Sequence, residues 1–331
     1  MELRSVGRGD DSLGRRSPRN EHARGPSPHS ERRPRRKARS AKGAPIGAVP
    51  TVVHTPESVE RGYNNRAAVP DHLHWLARFP ALSKDARAAL APKLDLRYGA
   101  GPKETLDLFV PAGGARGTFL FLHGGYWRAL DKSDFSFVAT PFVAAGYAVA
   151  VANYDLCPGV SIATIVDECR RALLWLVREG PEHGVVAAPL VIGGHSAGGH
   201  LAAMLFATDW RTHGLAGAPF CAGLSLSGVH ALEPLVLSTM NADLGLDESE
   251  ARRMSPVYLA PKTDVPLLIA AGADETSEFL RQSQLMFDAW PANRPMGRHA
   301  PWFVPDRNHF TVVLDYADPA SALVRTSLAL F

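Results

Sequence analysis

Leu190-Val-Ile-Gly-Gly-His-Ser196-Ala-Gly-Gly-His-Leu201-Ala-Ala-Met-Leu205 is the stretch on which the fold turns. Three apolar residues run into a pair of glycines, and beyond Gly198 the residues Leu201, Ala202, Ala203, Met204 and Leu205 favour a helix. Between the two lies G-x-S-x-G, Gly194 to Gly198. Strand, sharp turn and helix in immediate succession push a serine side chain out at the apex of a strained bend. The glycines are needed because a Cβ there would collide with neighbouring backbone. The bare pattern is common, but at a strand–helix junction it marks Ser196 as a candidate nucleophile rather than an ordinary turn serine.

A serine hydroxyl is a weak nucleophile until a base takes its proton, so a histidine must lie within reach. The chain holds 13 histidines and composition cannot choose among them. Chain order can. In the α/β-hydrolase fold, to which the elbow points, nucleophile, acid and histidine follow in that sequence, the histidine after the last strand. His309, in Asp306-Arg-Asn-His-Phe310, sits beyond an apolar run at 302–304 and is expected to open the final helix; His299 lies on the wrong side of that run. The acid belongs in Gly272-Ala-Asp274-Glu275, after the strand expected at 267–271. Spacing from Gly272 favours Glu275, whereas Asp274 is the more usual residue type and remains a rival.

Attack on a carbonyl builds negative charge on its oxygen, and amide donors must already face that place. His123-Gly-Gly-Tyr-Trp127 follows the apolar run 118–122 directly. Gly124 and Gly125 can present their amides without side-chain obstruction, and Ala197 supplies the donor after the nucleophile. His123 is expected to brace this loop rather than move protons. Tyr126 and Trp127 are candidate walls for a substrate ring. His200, one turn past the elbow, is expected in the core.

Around these motifs, short β-branched runs alternate with helical periodicity from Leu94 onward, as in a mostly parallel sheet flanked by helices. Strands are expected at 94–98, 106–110, 118–123, 147–153, 190–194, 221–227, 267–271 and 302–304, the first two as a hairpin. Ile162, Ile165, Val166, Cys169, Leu173, Leu176 and Val177 recur at spacings of three and four, which predicts an amphipathic helix on the sheet. Further helices are expected at 197–207 and 278–290, and residues 229–262, with weaker periodicity, as a small helical insertion over the site.

Composition bounds the rest. At 331 residues with 46% hydrophobic and 21% charged, the chain is that of a globular protein. Of 36 basic and 33 acidic residues, 13 and 5 lie in residues 1–45, so the positive charge sits in a leader and the body is mildly acidic. Residues 1–50, rich in Arg, Ser, Pro and Gly, are expected to be a disordered extension of a catalytic domain at 51–331. No aromatic residue interleaves their basic run, so no nucleic-acid partner is expected. Cys157, Cys169 and Cys221 are odd in number and lack metal-ligand spacing, which speaks for reduced thiols in the cytoplasm and against a disulfide framework or a metal site. No run of about 18 apolar residues predicts a membrane span, and no secretory leader is seen.

His123-Gly-Gly-Tyr-Trp127, Gly194-His-Ser-Ala-Gly-Gly-His-Leu201, Glu275-Thr-Ser-Glu-Phe-Leu-Arg-Gln-Ser283 and Asn308-His-Phe310 together resemble the kynurenine formamidase (arylformamidase) family and its bacterial esterase-like relatives, from about Tyr63 to the C-terminus. The resemblance implies hydrolysis of N-formyl-L-kynurenine, with Ser196 as nucleophile, His309 as base and position 275 as acid, no cofactor, and a homodimer. A glutamate at 275 varies on the aspartate of some members. The basic leader has no counterpart in the family. A carboxylesterase or another small-amide hydrolase would use the same parts. A scaffold that keeps the fold without turnover, or a nucleic-acid partner working through the leader, is the reading from a different class; the intact set of nucleophile, base, acid and glycines speaks against it.

Overall fold

The computed structural model describes residues 53–331, so the expectation for residues 1–50 lies outside the described residues. Eight strands form one sheet: β1 (Lys93–Arg97), β2 (Thr105–Phe109), β3 (Thr118–Leu122), β4 (Ala148–Ala152), β5 (Leu190–His195), β6 (Ala222–Leu226), β7 (Leu267–Gly272) and β8 (Trp302–Val304). Their order is β1-β2-β4-β3-β5-β6-β7-β8, with β1–β2 and β2–β4 antiparallel and all later pairs parallel. Each strand lies within one residue of its expected bounds, and the first two form the hairpin.

Period two explains why this sheet is covered on both sides. Phe119, Phe121, Val149, Val151 and Val191 point to one face, and Leu120, Leu122, Ala150, Ala152 and Ile192 to the other. Among the described residues the α-helices are α1 (Pro56–Tyr63), α2 (Asn65–Ala68), α3 (His72–Leu90), α4 (Ala139–Ala144), α5 (Ile162–Arg178), α6 (Ala197–Phe206), α7 (Asn241–Leu244), α8 (Glu248–Arg253), α9 (Ser277–Ala289), α10 (Thr311–Leu314) and α11 (Ala322–Leu328). The phenylalanine face meets Phe79 of α3, Phe142 of α4, Val312 of α10 and Leu323 of α11. The leucine face meets α5, α6 and α9 through Ile165, Leu173, Leu201, Phe279 and Met286, and Val59 and Tyr63 of α1 join it. No helix among the described residues is long and apolar enough to cross a membrane.

Two parts differ from expectation. Residues 56–90 form three helices, although periodicity begins only at Leu94: α3 buries only Phe79, Ser83 and Ala86 and carries Pro80 in its interior, so its apolar stripe is faint. The final helix does not open at His309. A single turn, α10, follows it, and α11 starts afresh at Ala322 with Ser321 as its N-cap. Pro319 explains the break, because the residue before a proline is steered out of helical conformation. Residues 229–262 form the expected insertion of short turns and helices.

Candidate active site

Ser196 stands where β5 passes into α6, with φ +57° and ψ −120°, a conformation few L-residues adopt. Its amide donates to Leu226 O at 2.8 Å, which locks the bend to β6. The flanking glycines have no alternative: a Cβ on Gly194 would fall 2.2 Å from Gly198 O, and one on Gly198 would fall 1.9 Å from Leu122 O.

Ser196 Oγ lies 3.1 Å from His309 Nε2, and His309 Nδ1 lies 2.7 Å from Glu275 Oε2. An ionised carboxylate only accepts, so Nδ1 carries the proton and Nε2 is free to receive one from the serine. Glu275 Oε1 accepts from Ser227 Oγ at 2.5 Å and from the Gly272 amide at 2.7 Å. Two contacts to Oε1 and one to Oε2 thus hold the buried carboxylate with its second oxygen turned to the imidazole. The structure brings Glu275, not Asp274, to His309. Asp274 is exposed, and only its backbone takes part, its amide donating to Arg307 O at 2.9 Å. That bond and Ala273 N to Val304 O, 2.8 Å, zip the acid loop to the histidine loop.

His195 completes the set from within the elbow. Its Nε2 donates to His309 O at 2.9 Å, and the two rings are 4.7 Å apart. Burial first, and then the neighbouring His309, push its pKa far below the usual histidine value, so it steadies the base as a neutral ring. Ser227 and His195 escaped the sequence reading. Their only signals are Ser227-Gly228 at the end of β6 and the variable place inside G-x-S-x-G.

Gly124 and Gly125 line a cavity of about 260 Å³ together with Ser196 and His309. Among the described residues, the amides of Gly124, Gly125 and Ala197 donate to no protein acceptor, as donors kept for a developing oxyanion should be. His123 is fully buried below them, Nδ1 2.7 Å from Gly124 O and Nε2 3.0 Å from Asn153 Oδ1, its ring stacked 4.2 Å from Tyr154. Both ring nitrogens are taken up by these contacts, which brace the loop, and burial lowers its pKa. Gly125 has φ +119°, and a Cβ would fall 2.0 Å from Ala129 O. Gly125→Ala is therefore expected to bend the loop and lower kcat about a hundred-fold, the usual scale for a lost oxyanion donor. Steady-state kinetics paired with thermal unfolding checks this; an unchanged kcat in a folded variant would remove the loop from the chemistry.

Of the two aromatics after the glycines, only Tyr126 faces the cavity, and its hydroxyl donates to Tyr63 O at 2.6 Å. Trp127 corrects the expectation of a substrate wall. It is fully buried in the core and meets His200 edge-on at 4.9 Å. Both residues have positive φ, +51° and +56°, and the chain curls so tightly that the second ring turns inward. His200 is in the core as expected, Nε2 2.7 Å from Met254 O. The cavity's apolar wall comes instead from Leu76, Phe79, Phe135 and Phe310.

The BD-FAE family model matches residues 106–216. The chain is 30% identical over 241 residues to the kynurenine formamidase of Salmo salar, a span covering 70% of this chain and 80% of that one. It is 32% identical over 200 residues to the kynurenine formamidase of Drosophila melanogaster, covering 57% and 65%. A solved structure from Silicibacter sp. TM1040, described as a candidate thioesterase, superposes with a TM-score of 0.71 at 32% identity, over 80% of this chain and 97% of that one.

Proposed function

The chain belongs to the kynurenine formamidase family of α/β-hydrolases, and from that premise we propose that this serine hydrolase cleaves N-formyl-L-kynurenine to formate and kynurenine. The observation that carries the reading is the unbroken line Glu275–His309–Ser196, ending in a cavity walled by aromatic rings and facing the amides of Gly124, Gly125 and Ala197. Ser196 Oγ bonds to the formyl carbon as His309 Nε2 takes its proton, and the carbonyl oxygen, now negative, rests on those amides. Collapse breaks the carbon–nitrogen bond. An anilide anion leaves badly, so His309 returns the proton to the departing nitrogen. Water, deprotonated by the same imidazole, then releases formate from the formyl-serine and restores the hydroxyl. Cys157, Cys169 and Cys221 are free thiols, which supports a cytoplasmic setting for the reaction.

Carboxylester hydrolysis uses the same parts, with an alkoxide leaving more readily than an amine. Comparing kcat/KM for N-formylkynurenine with that for short p-nitrophenyl esters separates the two. The formamide is expected to be the better substrate. Esters cleaved well, beside a formamide at background rate, would overturn the formamidase reading.

A further inference from the structure

One wall of the cavity is built by α1 and α2, which lie N-terminal to the first strand and are tied to both catalytic loops. Thr276 Oγ1, beside the acid, donates to Gly62 O at 2.6 Å, and Tyr126, in the glycine loop, donates to Tyr63 O. Tyr63 itself is clamped to α9, its hydroxyl donating to Glu278 Oε1 at 2.6 Å and accepting from Gln282 Nε2 at 2.7 Å.

This wall carries two opposite charges on one cavity, Glu60 and Arg66, and among the described residues neither takes part in an ion pair. Arg128, the other cation on the cavity, is already committed to Asp243. Glu60 accepts one bond, from the Thr239 amide at 2.7 Å, which orients its carboxylate toward the insertion side of the mouth. Asn65, next to Arg66 in the chain, also lines this wall and is 95% buried. A pair of unlike charges that share a cavity but not a bond is complementary to a ligand bearing both signs on one carbon.

We propose that Arg66 binds the carboxylate, and Glu60 the ammonium, of a substrate whose far end is a zwitterionic α-amino acid. This inference rests on the formamidase reading above and assigns the residues that select within it. The aromatic wall holds the ring, the triad takes the formyl end, and the α1–α2 wall takes the charged end. Charge-assisted hydrogen bonds of this kind supply binding that is equal in ground and transition states, so their loss falls on KM more than on kcat.

Three probes with one aryl formamide core test it on the full-length protein: N-formylkynurenine, its desamino counterpart that keeps the carboxylate, and ortho-formamidoacetophenone, which carries neither charge. Wild-type kcat/KM is expected to fall in that order. Arg66→Met is expected to erase the step between the desamino and the uncharged probe, a loss of about ten- to a hundred-fold on the carboxylate-bearing pair, mainly through KM. Glu60→Gln, which keeps the oxygen facing Thr239, is expected to erase the step between N-formylkynurenine and the desamino probe. Equal turnover of all three probes by the wild type, or a uniform loss on all three in Arg66→Met, overturns the recognition wall while leaving the reaction class standing. If none of the three is hydrolysed but p-nitrophenyl acetate is, the formamidase reading has failed and this inference falls with it.

Discussion

Ser196→Ala is expected to lower kcat for every substrate by about 10^4-fold or more, on the order of 5 kcal/mol in the barrier. The size follows from the geometry. Among the described residues, no second hydroxyl or thiol is held by His309 Nε2, which has Ser196 Oγ as its partner at 3.1 Å. What survives is the contribution of binding and of the oxyanion amides, which by themselves accelerate reaction only weakly. Alanine at this position meets the same positive φ as serine and adds no atom to the crowded bend, so thermal unfolding should shift little. The measurement is single-turnover and steady-state hydrolysis of the purified variant. A residual rate of even a few per cent would show that another group attacks the carbonyl.

The second large effect separates two neighbouring carboxylates. Glu275→Gln is expected to cost about 10^3- to 10^4-fold in kcat, whereas Asp274→Asn should stay within about two-fold of the wild type. A glutamine amide can donate to Nδ1, which would turn His309 to the tautomer that points a proton at Ser196 and cannot accept one. The change also removes the charge that stabilises the imidazolium during attack. Glu275 is buried and holds Ser227, Gly272 and His309 together, so its replacement should in addition cost about 1–3 kcal/mol of stability. Asp274 is exposed, and only its backbone reaches the histidine loop. Kinetics and thermal unfolding of the two variants side by side decide the matter. A large loss in Asp274→Asn with a near-normal Glu275→Gln would reverse the assignment.

These expectations differ in how early they can be read. The elbow is local: apolar strand, glycines at 194 and 198, and helix formers are all within sixteen consecutive residues, and the steric need for glycine acts between near neighbours or against the adjacent strand. The positions of the strands were legible for a similar reason, since short, continuously apolar runs bounded by turn residues mark strands buried on both faces; their order in the sheet was not. His309 was reachable through chain order. Trp127 was misread because two consecutive positive φ angles curl the loop, and which ring ends inside depends on where His200 and the core lie, not on neighbours in the chain.

Ser196, the glycine loop and the eight strands were determined by the amino-acid sequence alone, because each rests on periodicity, chirality or backbone clash over a short span. The choice of Glu275 over Asp274, the support from Ser227 and His195, and the α1–α2 wall with Glu60, Asn65 and Arg66 were decided only by tertiary structure. Residues dozens to hundreds of positions apart meet there through side-chain reach and hydrogen-bond direction. Neither quantity leaves a period in the sequence; both exist only once the sheet has brought its carboxyl ends together.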